Sequence, residues 1–147
     1  MSIKYKAGYF PDIADSFKPL WIEATSYFKG TDKITNEDFQ NDMSNRCTHA
    51  VFLALDNEEP IGCAIASVSG DLKGWISDVY VKQKYRGKKL SNELCRQAQN
   101  WLTENGCDET RLFVIGGDSK VITLYETMGF IIEGVTMKNK PTKIIKT

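Results

Sequence analysis

Residues 75–81, WISDVYV, are an apolar, β-branched run, and residues 82–89, KQKYRGKK, follow as a basic joint with one glycine. Directly after it, Leu90, Leu94, Ala98, Trp101 and Leu102 recur at spacings of four, four, three and one, the stripe of an amphipathic helix. A strand, a tight joint and a helix in immediate succession commit the centre of the chain to an α/β architecture. The joint also poses a chemical question. The first N–H groups of a helix have no intrahelical partner and lie at the positive end of its dipole. Backbone alone can hold a phosphate there, and Gly87 allows a tight turn or close approach. Arg86, Lys88 and Lys89 add positive charge. From the residues alone, the pattern reads equally as a helix start with solvated basic side chains.

The flanking segments fill in the fold. Ile3 to Tyr5 starts a short strand. Residues 11–29 read as helical but broken, with Pro19 opening a second piece, because an interior proline costs about 3 kcal/mol. Gly30 and Thr31 end it, and Thr35 caps a short helix to about Asn45. HAVFLALD and IGCAIASVS, joined by NEEP, predict an antiparallel hairpin. Asp71 to Gly74 turns the chain into a third strand of the same sheet, Trp75 to Val81. Asn105-Gly106 ends the long helix. Arg111 to Gly116 reads as a buried strand. Asp118 caps a helix that buries Val121, Leu124, Tyr125 and Met128 and stops at Gly129. Phe130 to Met137 reads as a strand, and residues 142–146 as a weaker one. The expected fold class is α/β: a central mixed, largely antiparallel sheet with helices on both faces, in a single domain spanning 1–147.

Bulk properties narrow the function. A chain of 147 residues suits one domain with a real core. No apolar run approaches the roughly 18–20 residues of a membrane span, and MSIKYKAGYF lacks the apolar region of a secretory signal. The expected location is the cytoplasm. Cys47, Cys63, Cys95 and Cys107 are widely spaced and His49 is the only histidine, so neither a zinc site nor a disulfide framework is signalled, and no metal is expected. Residues 1–60 carry six Lys+Arg against ten Asp+Glu, so the rest of this neutral chain is basic. A basic half suits an anionic ligand, and an acidic half a cationic one. Nothing is basic enough to suggest nucleic-acid binding.

VYVKQKYRGKKLSNEL resembles the acyl-CoA loop of the GNAT superfamily, the acetyl-CoA-dependent N-acyltransferases. The family pattern is Arg or Gln, two variable residues, Gly, one variable residue, then Gly or Ala. Arg86 takes the first place, Lys89 stands where Gly is usual, and Ser91 where Gly or Ala is usual. DSKVITLYETMGF (118–130) is similar to a second family segment, with Asp118 in place of Asn, Val121 in place of Ala, and Tyr125, Gly129 and Phe130 matching. The resemblance implies that Val79, Tyr80 and Val81 pair their backbone with the pantetheine arm of acetyl-CoA. It implies that the loop Arg86, Gly87, Lys88, Lys89, Leu90 and Ser91 holds the pyrophosphate. Asp118 would lie near the pantetheine. A bulge would splay Trp75–Val81 from Arg111–Gly116, with the thioester in the gap. Lys89 fits if its backbone is helical, whereas glycine-like angles would be costly for it and would retune cofactor binding.

Acyl transfer to an amine needs a base for the amine proton, N–H donors for the oxyanion and an acid for the departing thiolate. Tyr125 matches the family tyrosine that acts as acid, and a phenol with an ordinary pKa near 10 is protonated at pH 7. As a residue it also reads as part of an amphipathic helix face. Asp78 is a candidate base. Strict alternation groups it with Ile76 and Tyr80, opposite Ser77, Val79 and Val81, and it equally reads as a partnered structural charge. Phe17, Trp21, Tyr27, Phe28 and Phe39 interleave with Asp15, Glu23, Asp32, Glu37 and Asp38, a mix suited either to a cationic amine or to an ordinary core. The expected function is acetyl transfer to a primary amine of a small molecule or peptide by direct attack. Its rival is a non-catalytic acyl-CoA-binding module of the same fold, which Lys89 and Asp118 favour. A homodimer is open, since family members are often dimers.

Overall fold

The computed structural model describes residues 2–114 and 118–139. The chain divides into two units, Met1–Phe113 and Val114–Thr147. The first contains β1 (Ile3–Gly8), α1 (Ala14–Lys29), α2 (Asn36–Ser44), β2 (His49–Asp56), β3 (Glu59–Val68), β4 (Gly74–Val81), a 3₁₀ turn (Gln83–Tyr85), α3 (Leu90–Glu104) and β5 (Thr110–Leu112). The second contains α4 (Ser119–Thr127).

The sheet runs β1-β2-β3-β4-β5. The first four strands pair antiparallel, and β5 pairs parallel to β4. The β2–β3 hairpin is tighter than NEEP suggests. Only Asn57 and Glu58 turn it, both at positive φ (50° and 67°), which matches the right-handed strand twist. Alternation then separates two faces. Val51, Leu53, Leu55, Cys63, Ile65 and Tyr80 share a core with Phe17, Leu20, Trp21 and Ala24 of α1 and with Phe39 and Met43 of α2. Phe39 lies at its centre, edge-on to Phe10, Phe17 and Trp21. These rings are core, so of the five aromatics read along 17–39 only Tyr27 and Phe28 stay exposed. On the other face, α3 sets Leu94 against Gly62 and Leu102 against Gly74.

Local chemistry explains most boundaries. Thr35 and Asp38 form a reciprocal capping box that starts α2. Gly106 takes φ 88° after α3. Asp118 accepts from the N–H groups of Lys120 and Val121, capping α4. The expected break at Pro19 is overturned: α1 is one helix with Pro19 inside it. Pro19 and Asp15, whose carbonyl lies one turn back, are both on the exposed face. Water can satisfy the orphaned carbonyl while the opposite face packs. The strand at Arg111–Gly116 shortens to Thr110–Leu112, with residues 115–117 outside the described residues. Phe130–Met137 is not a strand, because it has no ladder partner among the described residues, and a strand exists only through its neighbours. Val121, Leu124, Tyr125 and Met128 are half-buried or exposed rather than buried, since one nine-residue helix finds little to pack on within its own unit. Residues 142–147 lie outside the described residues. No helix among the described residues is long and apolar enough to cross a membrane.

Gly74 marks where β4, β5 and α3 converge. A Cβ there would stand 2.9 Å from Leu102 Cδ1 and 3.1 Å from the Glu109 carbonyl oxygen. Gly74→Ala is therefore expected to cost about 1–3 kcal/mol in urea denaturation, the usual penalty of overpacking.

Candidate active site

The site is built on the second half of β4. On its β3 side, Val81 pairs with Gly62 and Tyr80 with Cys63, and then Ser77 pairs with Ile65. Two β4 residues, Asp78 and Val79, therefore face the single residue Ala64, which is a β-bulge. Asp78 takes φ 54°, a left-handed angle that Asp tolerates better than most residues. On the other edge, β4 pairs with β5 only from Gly74 to Ile76. From Ser77 onward, β4 has no strand partner on that side among the described residues. Among the described residues, a stretch of strand edge directly beyond the bulge therefore carries no ladder.

The bulge also corrects the alternation expected for Asp78. Ser77 and Tyr80, which strict alternation puts on opposite faces, both point to the α1/α2 side. Asp78 does not follow Ile76, and its carboxylate reaches the same side. Asp78 Oδ2 accepts from Arg46 Nη2 at 2.5 Å and from Ser77 Oγ at 3.2 Å. Its carbonyl accepts from the Cys63 thiol at 3.2 Å. Burial, and then the Asp78 charge, push that thiol far above its ordinary pKa, so it keeps the proton it donates.

Beyond Val81 the chain makes the 3₁₀ turn, and buried Tyr85 gives its hydroxyl to Asp56 at the end of β2. Gly87 follows at φ 81° in open space, so its backbone angle rather than crowding calls for glycine. Lys89 is the N-cap of α3 at φ 61°, ψ 24°, and no side chain caps that end. It is left-handed rather than helical, the glycine-like conformation that the loop pattern provides for. Leu90 is in the core, so its backbone alone faces the loop. Ser91 is half-buried.

Arg86 departs from a simple phosphate ligand. Its Nε donates to the Val81 carbonyl at 2.8 Å, and its guanidinium lies over Tyr27 (5.3 Å) and Tyr80 (5.5 Å). Phe28 stands edge-on to Tyr80. Tyr80 donates to Glu23 Oε2 at 2.8 Å, and Lys82 bridges Glu23 and Glu59. Burial, and then Glu23, raise the Tyr80 phenol to about 12. The end of α1 and the end of β4 thus meet in an aromatic and acidic cluster, of which Glu23, Tyr27 and Phe28 were foreseen and the contact with Tyr80 and Arg86 was not. A groove of about 620 Å³ lined by Tyr9, Phe10, Met43, Arg46, Cys47 and His49 opens at the other end of the sheet, away from the loop.

Val79, Tyr80, Val81 and the loop from Arg86 to Ser91 are therefore contiguous in the first unit, with Asp78 at their base. Asp118 and Tyr125 belong to the second, where Asp118 caps α4 and Tyr125 stacks edge-on to Phe130 at 5.8 Å. Arg46 was missed in the sequence. Its β4 partners lie 31 and 32 residues away, and its local pairing with Asp42 does not announce them. Among the described residues no cluster of metal-ligating side chains occurs. The uncapped helix start, Gly87 and the open β4 edge fit the phosphate and pantetheine parts of a CoA thioester.

Two outcomes follow from these environments. Lys89→Gly removes a left-handed lysine at the cost of a more flexible unfolded chain, and is expected to raise stability by up to about 1 kcal/mol in denaturant titration. The Tyr80 phenol is raised in the folded state, so its contribution is whole below the ordinary value of 10.0 and is lost as pH rises to about 12. Tyr80→Phe is expected to flatten the fall in stability across that window.

Residues 13–130 match the acetyltransferase (GNAT) family. N-alpha-acetyltransferase 30 of Saccharomyces cerevisiae is 28% identical over 132 residues, covering 78% of this chain and 75% of that protein. Thialysine N-epsilon-acetyltransferase of Sus scrofa is 31% identical over 55 residues, covering 37% of this chain and only 32% of that protein. Among solved structures, AAC(6′)-Iy in complex with the bisubstrate analog CoA-S-monomethyl-acetylneamine superposes with a TM-score of 0.74 at 16% identity, covering 97% of this chain and all of that one, a likeness of fold. With the family match running through the bulged strand, the basic loop and α4, the chain belongs to the acetyltransferase (GNAT) family, the acetyl-CoA-dependent N-acyltransferases.

Proposed function

We propose that this chain moves an acetyl group from acetyl-CoA to a primary amine of a small molecule or peptide by direct attack, without a metal and in the cytoplasm. The observation that carries the reading is the β4 edge beyond the bulge, without a ladder among the described residues, followed through the 3₁₀ turn and basic loop by the uncapped start of α3. The family match spans residues of both units, which supports treating 1–147 as one functional domain.

Acetyl-CoA supplies the activated acyl group as a thioester. In this reading Val79, Tyr80 and Val81 offer backbone N–H and C=O groups to the pantetheine amides, as an added strand would. The backbone of Gly87 to Ser91 receives the pyrophosphate, with Lys88 and Lys89 adding charge. Arg86, anchored on Val81 and stacked on Tyr27 and Tyr80, stiffens the corner between strand and loop. Asp118 orders the start of α4, which carries Tyr125, and Tyr125 protonates the departing sulfur. Asp78 remains the candidate base. Its ion pair with Arg46 means that it takes the amine proton only by loosening that pair, or through water. The exposed rings of Tyr27 and Phe28 beside Glu23 suit a cationic acceptor. Relatives named N-alpha-acetyltransferase and thialysine N-epsilon-acetyltransferase make amines of both kinds, α and ε, the first acceptors to try.

The test is thermal unfolding with and without acetyl-CoA, followed by thiol release with an amine panel. Ligand at about 100 times its dissociation constant adds roughly 2.7 kcal/mol, several degrees for a domain of this size. A clear shift with amine-dependent thiol release supports the enzyme. A shift without release under any amine marks a non-catalytic acyl-CoA-binding module. Absence of a shift at millimolar acetyl-CoA overturns both. Tyr125→Phe is expected to lower turnover at least tenfold while leaving the acetyl-CoA shift in place, in line with the usual worth of a general acid, about 100-fold or more.

A further inference from the structure

We infer that Arg46, which follows the end of α2, is a positioning residue that fixes where β4 parts from β5, and thereby holds the strand edge that receives the pantetheine arm. The inference rests on the reading of that edge given above. Arg46 uses three donors at once. Its Nε meets Asp42 Oδ2 of α2 at 2.9 Å, its Nη1 meets Ser77 Oγ at 3.1 Å, and its Nη2 meets Asp78 Oδ2 at 2.5 Å. Among the described residues, the last pairing between β4 and β5 is Ile76 with Leu112. The two residues that Arg46 grips are therefore the first two beyond the parting point, and the second is the left-handed residue of the bulge.

A bulge moved by one residue would turn β4's side chains over and shift the open edge. A planar guanidinium with its Nε held by Asp42 can engage Ser77 and Asp78 together only in this register, and a lysine could not copy the fork. The Arg46 and Asp78 side chains are 19% and 21% exposed, so solvent screens the pair only partly. The Cys63 thiol holds the Asp78 carbonyl from the β3 side. Asp78 is thus tied through its side chain to α2 and through its backbone to β3, a geometry suited to holding a strand still.

The experiment compares the wild type, Arg46→Gln, Arg46→Lys, Asp78→Asn and the Arg46→Gln/Asp78→Asn double variant, as full chains. Calorimetry measures the affinity of two probes, acetyl-CoA and adenosine 3′,5′-bisphosphate, which carries phosphates but no pantetheine arm. Arg46→Gln is expected to weaken acetyl-CoA about tenfold, and the double variant no further, as for members of one network. Bisphosphate affinity should stay within about twofold. Equal weakening of both probes overturns the inference in favour of a general structural role, and unchanged acetyl-CoA affinity overturns it outright. If Arg46→Gln does not fold, Arg46→Lys decides on the same criteria, since it keeps the charge beside Asp78 and loses the two-pronged grip. A wild type that binds neither probe overturns the acyltransferase reading itself, and this inference with it.

Discussion

One extra residue in β4 governs this structure. Because Asp78 and Val79 together oppose Ala64, the strand changes direction midway through the sheet. Up to Ile76 it holds β5 as a parallel neighbour; afterwards it has no strand partner on that side among the described residues. The open edge, the turn of Tyr80 toward α1 and the approach to the basic loop all follow from that offset. Its cost is a non-glycine residue at positive φ, and the surrounding contacts from Arg46, Ser77 and Cys63 all converge on that residue. Strain confined to one residue and held by its neighbours is a usual companion of functional sites.

The two faces of the sheet divide the work. The α1/α2 face is filled by large rings around Phe39 and gives a rigid floor under the bulge. The α3 face uses glycines at 62 and 74 to bring a helix close to the strands, with Leu94 and Leu102 filling the space a Cβ would need. Close seating of α3 fixes its N-terminus relative to the end of β4, so the loop between them has few conformations. A backbone site for an anion depends on that stiffness, because N–H groups that wander cannot hold a phosphate in one place.

Legibility followed distance along the chain. The hairpin, the Thr35 cap, the glycine after α3 and the Asp118 cap were readable because each is set by residues within a few positions of one another. The strand-loop-helix unit was readable for the same reason. Pro19 misled because the general cost of proline ignores that water can serve the carbonyl of an exposed Asp15. Asp78 misled because alternation presumes a regular strand, and nothing in SDV marks a bulge. Phe130–Met137 has strand-like residues, but pairing depends on a neighbour that local sequence does not supply. The grip of Arg46 and the stacking of Arg86 on Tyr27 join segments far apart in the chain, and such contacts exist only after folding.

The hairpin turn at Asn57-Glu58 looks like the natural place to graft a tag or open the chain, being short, exposed and left-handed. Its flanks are not idle, however. Asp56 pins the Tyr85 hydroxyl and Glu59 holds Lys82, the two residues between which the chain leaves β4 for the loop. A splice at this tip would therefore be felt at the far end of β4, whereas Gly70, in the loop between β3 and β4, has open space around it. For anyone rebuilding this protein, the tip of the β3–β4 loop is the more permissive insertion point.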